Sequence, residues 1–160
     1  MKPRIETIAE KQLVGHALEM SLVSNKTQEL FSGFMPLKKS IINSLSNDVY
    51  EVMVYPYNHF KEFNPANTFT KWATVEIFTF EDAPNDMSQL TLQSGLYAVF
   101  TYKGLPQDFG VFMQHVFMEW LPKSEFTLDD RPHFNVLGAA YKNNHPDSEE
   151  DVYIPIKPKA

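Results

Sequence analysis

The sequence contains no cysteine. Disulfide bonds, thiolate catalysis and cysteine-ligated zinc are therefore excluded. No apolar run approaches the roughly 18 to 20 residues that a membrane-crossing helix needs. The start, Met1-Lys2-Pro3-Arg4-Ile5-Glu6, lacks the apolar core of a signal peptide. The cytoplasm is the expected location. Positive charge is scarce, with 14 Lys and Arg against 20 Asp and Glu and a net charge of −6. Nucleic-acid affinity rests on clustered Lys and Arg, yet Lys38-Lys39 is the sole adjacent basic pair. Neither direct nucleic-acid contact nor membrane contact is expected. There is no GxSxG turn, glycine-rich phosphate loop or HExxH. Nothing calls for a metal or a cofactor.

What is present is apolar and aromatic. Hydrophobic residues make up 43% of the 160 and aromatics 14%, which predicts a globular chain with a proper core and one domain. From Ile5 to Leu22 the pattern is extended, and Gly15 within it predicts a bulge. Asn25 and Gln28 resemble a capping box. Leu30, Phe34, Leu37, Ile41 and Leu45 follow at helical spacing, with Pro36 set to bend or break the helix. Val49–Tyr57 and Phe69–Phe80 read as strands, and Gly95–Tyr102 is the clearest strand of all. Pro106 then suits a helix's first turn, and Leu105, Phe109, Phe112, Met113, Val116, Phe117 and Trp120 trace one helical face up to Pro122. Arg131–Leu137 and Val152–Ile156 supply the last strands around an Asn-, Pro- and Asp-rich loop. The order strand, helix, strand, strand therefore occurs twice. It predicts an α+β fold of tandem modules with pseudo-twofold symmetry and a cleft between them.

Candidate chemistry lies in acids set among apolar residues. His115 and Glu119 are four apart on a helix, but two ligands make an incomplete metal site. Glu76 interrupts Val75-Glu76-Ile77-Phe78, and Glu119 stands beside Trp120. Glu149-Glu150-Asp151 runs directly into Val152-Tyr153-Ile154. Alternation puts Asp151, Tyr153 and Pro155 on one face and Glu150, Val152, Ile154 and Ile156 on the other. A desolvated carboxylate near rings is suited to an organic cation, or, kept protonated, to general acid catalysis. A solvated surface position is the commoner meaning of any one such Glu.

Four segments carry a family resemblance: Gly95–Gly104, Glu119-Trp120-Leu121-Pro122-Lys123-Ser124, Arg131-Pro132-His133-Phe134 and Asp151-Val152-Tyr153-Ile154-Pro155-Ile156-Lys157. In that order, across essentially the whole chain, they resemble the GyrI-like effector-binding domain family. This small-molecule domain also occurs at the C-terminus of bacterial AraC-type and multidrug-responsive MerR-type transcription regulators. The resemblance implies one effector-binding domain over residues 1–160, free-standing and without a DNA-reading element. It further implies an aromatic-lined cleft holding an acid that pairs with lipophilic cations. By position, Asp151 and Tyr153 occupy the acid-x-aromatic step before Ile-Pro-Ile. The family commonly has Glu there, so Asp151 is a departure, and Glu149 or Glu150 is an alternative. Tyr55, Trp72, Tyr97 and Trp120 are candidate walls, with Glu76 and Glu119 as further acids. The expected function is binding of a small, aromatic or cationic molecule, with regulation passing through a protein partner. Two alternatives stay open: a hydrolase of reactive small molecules in the same cleft, and a protein-interaction module of gyrase-inhibitor type.

Overall fold

Apolar and polar residues alternate along most of the chain, and in the computed structural model, which describes residues 2–160, that alternation becomes nine strands. They are β1 (Arg4–Ile8), β2 (Lys11–Met20), β3 (Val49–Val54), β4 (Phe69–Ile77), β5 (Ser88–Leu92), β6 (Gly95–Lys103), β7 (Phe126–Leu128), β8 (His133–Leu137) and β9 (Glu149–Pro158). Helix α1 (Thr27–Phe34) follows β2. Helix α2 (Phe109–His115) follows β6 and continues through a π-helical stretch, Val116–Trp120, into a last turn, Leu121–Lys123. The strand order is β1-β6-β9-β8-β3-β4-β2-β5, antiparallel throughout, with β7 beside the end of β9.

The unit β1-β2-α1-β3-β4 recurs as β5-β6-α2-β8-β9, about a pseudo-twofold axis between the central strands β3 and β8. Ile8 pairs with Gly95 and Leu92 with Lys11, so each unit's leading strand lies on the other unit. The step from Ile8 to Leu92, and from Lys11 to Gly95, is the 84 residues that also separate Glu51 from Asn135. This exchange shapes the sheet. Ala9 and Glu10 alone join β1, at one edge, to β2 near the other edge, and Gln93 and Ser94 join β5 to β6. Two-residue links span only about 10 Å, so the sheet curls until its ends meet. Its helix-free face then closes on itself around Leu13, Tyr50, Val52, Leu92, Tyr97, Val99 and Phe134.

Both helices cover the opposite face. Leu30 and Phe34 of α1 pack on Val14, Met20, Phe69, Ala73 and Val75, and the second helix packs on Ala98, Phe100, Val152 and Ile154. Between the two helices this face follows the central strands β3 and β8, a strip called the groove below.

Three local expectations are corrected. Gly15 makes no bulge, because β2 and β4 stay in register from Gln12–Ile77 to Met20–Phe69. Glycine is needed there because a Cβ would stand 2.0 Å from the Ala73 carbonyl oxygen. Asn25 forms a local turn, its Oδ1 accepting from the Thr27 N–H at 2.9 Å, and α1 has no side-chain cap bond. The helical face does not continue to Leu45: α1 stops at Phe34, at the break expected of Pro36, a 3₁₀ helix follows over Met35–Ser40, and Ile42 and Leu45 are exposed.

Candidate functional site

The groove floor is polar where a sheet centre is ordinarily apolar. Glu51 of β3 lies opposite Asn135 of β8, on the pseudo-twofold axis. Asn135 Nδ2 donates to Glu51 Oε1 at 3.0 Å. Lys71 Nζ is 3.4 Å from Glu51 Oε2, and it also donates to Thr27 Oγ1 at the start of α1, at 2.9 Å. The Lys71 and Glu51 side chains are only 14% and 13% exposed. Glu51 thus has both carboxylate oxygens occupied by neighbours.

Glu150 does not. Ala73 pairs with Glu51 and Val152 with Asn135, and Lys71 and Glu150 each stand two residues before those partners. Lys71 and Glu150 therefore hold equivalent places in the two units, with opposite charge. Burial pushes the Glu150 carboxyl up to about 7; the Glu51 charge adds to the rise and Lys71 opposes it. No hydrogen bond contributes. Tyr141, in the loop after β8, is half-buried beside the two acids, and its hydroxyl is pushed up by burial and by both charges.

Rings close the other end. Tyr55, just past β3, meets the His133 ring edge-on at 4.9 Å, and Phe60 stacks on His133 at 5.3 Å. Phe60 also reaches Phe117 of the π-helical stretch at 5.3 Å, so a loop of the first unit touches the helix of the second. His133 is fully buried, and desolvation, with the charges of His59 and Arg131, lowers it to about 3. This end is neutral and apolar. His133 is paired with Met53, whereas Glu150 lies one step beyond the Val136–Asp151 pair. The rings and the acid are therefore about four residues apart along β8, roughly 13 Å.

The fold has known counterparts. SAV2435, in a structure bound to tetraphenylphosphonium, superposes with a TM-score of 0.69 at 16% identity, over 98% of this chain and 94% of that one. The EcmrR C-terminal domain gives 0.71 at 10% identity, over 99% and 98% of the two chains. In the EcmrR–DNA complex this chain spans 58% of the EcmrR chain. An integron cassette protein from Vibrio cholerae gives 0.64 at 12% identity, over 98% and 96%. No curated protein matches the sequence. The model of the GyrI-like small molecule binding domain matches residues 1–157. The chain belongs to the GyrI-like family.

Within this GyrI-like domain, Tyr55 and Glu150 are the sequence candidates on the groove face, at its two ends. Trp72, Glu76, Tyr97, Asp151 and Tyr153 lie on the helix-free face. Tyr97 is buried there, donating its hydroxyl to the Pro132 carbonyl at 2.9 Å beneath the Arg131 guanidinium. Tyr153 stacks on Phe134 at 4.3 Å, and Trp72 packs against the same core. Glu76 pairs with Lys11 at 3.6 Å and accepts from the Tyr50 hydroxyl. Asp151 pairs with Arg4 at 3.6 Å and accepts from Thr101 Oγ1 at 3.0 Å. Glu119 is exposed, and Lys123 beside it holds its carboxyl below the usual range. Glu119 and Trp120 line a shallow hollow of about 240 Å³ with His115, Lys123 and Ser124.

Glu51, Lys71, Asn135, Phe60 and His133 were not singled out from sequence. Glu51 in Val49-Tyr50-Glu51-Val52-Met53 carries the same signal as Glu76, an acid inside an apolar strand. Lys71 and Asn135 gain meaning only through pairing with residues far along the chain.

Proposed function

We propose that this GyrI-like domain binds a small lipophilic cation in the groove, with the ligand's charge at Glu150 and its apolar part among Tyr55, Phe117 and His133. One observation carries the reading: Glu150 is a mostly buried carboxylate with no ion-pair partner of its own among the described residues. When both acids are ionised, Glu51, Glu150 and Lys71 leave one negative charge in a poorly solvated site, and a monocation neutralises it. An anion would face two carboxylates at close range. Ring contacts with a cation add about 0.5–2 kcal/mol each. Access requires Phe60 to leave its place between Phe117 and His133, and an aromatic ligand regains those two contacts. The tetraphenylphosphonium bound to SAV2435 is a ligand of this chemical type. The biological role that fits is an effector-binding or sequestering domain, with any effect on transcription passing through a protein partner.

The test is a thermal-shift and calorimetric comparison of tetraphenylphosphonium and arylalkylammonium ions with neutral triphenylphosphine oxide, followed by mass analysis of each compound. Cations should raise Tm with concentration, be recovered intact and lose their effect in Glu150→Gln. A chemically altered compound would replace binding by hydrolysis. Failure of every cation to bind would overturn the proposal.

A further inference from the structure

Asn135 is 3% exposed, and its amide is only half used. Glu51 accepts, so the amide nitrogen must face it, and Oδ1 is left buried with no donor among the described residues. An unmatched buried acceptor is costly and uncommon in a folded protein. It lies on the groove floor, one strand from β9, with Glu150 on the same face. The groove's second half therefore presents one buried acceptor without a donor among the described residues, Asn135 Oδ1, and on the same face the partly exposed Glu150 carboxylate, which has no hydrogen bond within the protein. Its first half, with Lys71 on Glu51, has none to spare.

Resting on the binding function proposed above, we infer that the ligand is an N–H-bearing cation, a protonated amine or amidine on an aromatic body, whose N–H donates to Asn135 Oδ1 while Glu150 takes its charge. A quaternary ammonium satisfies the carboxylate but leaves Oδ1 unmatched. The separation of rings from acid along β8 suits an arylalkylamine, whose ring and nitrogen lie at opposite ends. The raised ionisation range of Glu150 fits an acid awaiting a counter-ion.

Calorimetry with wild-type protein decides it, using an arylalkyl dimethylamine protonated at neutral pH, its trimethylammonium salt and its uncharged carbon isostere. The protonated amine should bind about tenfold tighter than the trimethylammonium, the worth of one charge-assisted hydrogen bond, and the isostere should be weakest. In Asn135→Leu the amine and trimethylammonium should become equal. Should that variant not fold, the side-chain amide resonances of Asn135 in wild type should move with the amine and stay in place with the trimethylammonium. Equal binding of the two cations by wild type, or a preference that persists in Asn135→Leu, overturns the inference and leaves the cation site standing. Equal binding of all three compounds, or of none, overturns both.

Discussion

The two halves of the groove are built on one plan and finished differently. In the first unit Lys71 stands at the position that Glu150 holds in the second, and Glu51 at the position of Asn135. The first half is self-satisfied: the lysine meets the glutamate, and Thr27 takes a further ammonium proton. The second keeps a carboxylate with no counter-ion and an amide oxygen with no donor. The two places are equivalent by symmetry, yet one is satisfied within the protein and the other carries the binding proposed above. The same rule separates the groove from the helix-free face, where Glu76 has Lys11 and Asp151 has Arg4. Glu51, Glu76 and Asp151 have cations of their own, and Glu150, mostly buried and without one, is the candidate for binding.

Breaking the first half should have the largest effect on stability. Lys71→Met leaves two mostly buried carboxylates uncompensated and should cost about 3 kcal/mol at pH 8, read by urea unfolding. The loss should shrink as pH falls and Glu150 gains its proton. The second half should respond with the opposite sign. Glu150 has a folded value of about 7, above its ordinary 4.5. Between those values the unfolded chain releases the proton and the folded chain keeps it. Stability contributed by the protonated form is therefore full below 4.5, declines as pH rises through that window, and stays lowered above it. Glu150→Gln removes this penalty, so it should stabilise the protein by on the order of 2 kcal/mol at pH 8 and by almost nothing near pH 4.5. Denaturation curves at the two pH values check both numbers.

Smaller effects sharpen the contrast. Phe60→Ala empties the place of the ring between Phe117 and His133, and should cost about 1–2 kcal/mol of stability. Cation affinity should nevertheless rise several-fold, since the ligand no longer displaces the ring. Weaker binding would show that Phe60 is part of the ligand's wall instead. Asp151→Asn should change stability by about 0.5 kcal/mol or less, as expected for a partly exposed ion pair, and leave binding unchanged.

Much of this was legible in sequence, and the limits have physical causes. Alternation through Glu149–Ile156 placed Glu150 and Asp151 on opposite faces, as observed. It could not tell which face held the groove, because β3 and its neighbours are apolar on both sides. The doubled strand-helix-strand-strand order was readable, and the exchange of β1 and β5 was not. Ile5 to Leu22 reads as continuous extended chain because Ala9-Glu10 carries no turn residue. Glu51 and Asn135 meet across 84 residues, a contact that no local pattern encodes. Phe60 sits in a loop, where composition gives no period to follow.

The most direct measurement is the proton count on binding. An arylalkylammonium ion would be titrated calorimetrically from about pH 6 to pH 8, in buffers of different ionisation heat, with wild type and Glu150→Gln. Binding to the ionised carboxylate should expel close to one proton near pH 6 and almost none near pH 8, with affinity rising up to about tenfold between them. Glu150→Gln should release no proton and bind weakly throughout. Tight binding with no proton released at any pH, unchanged in Glu150→Gln, would contradict the assignment of the open half of the groove as the ligand site.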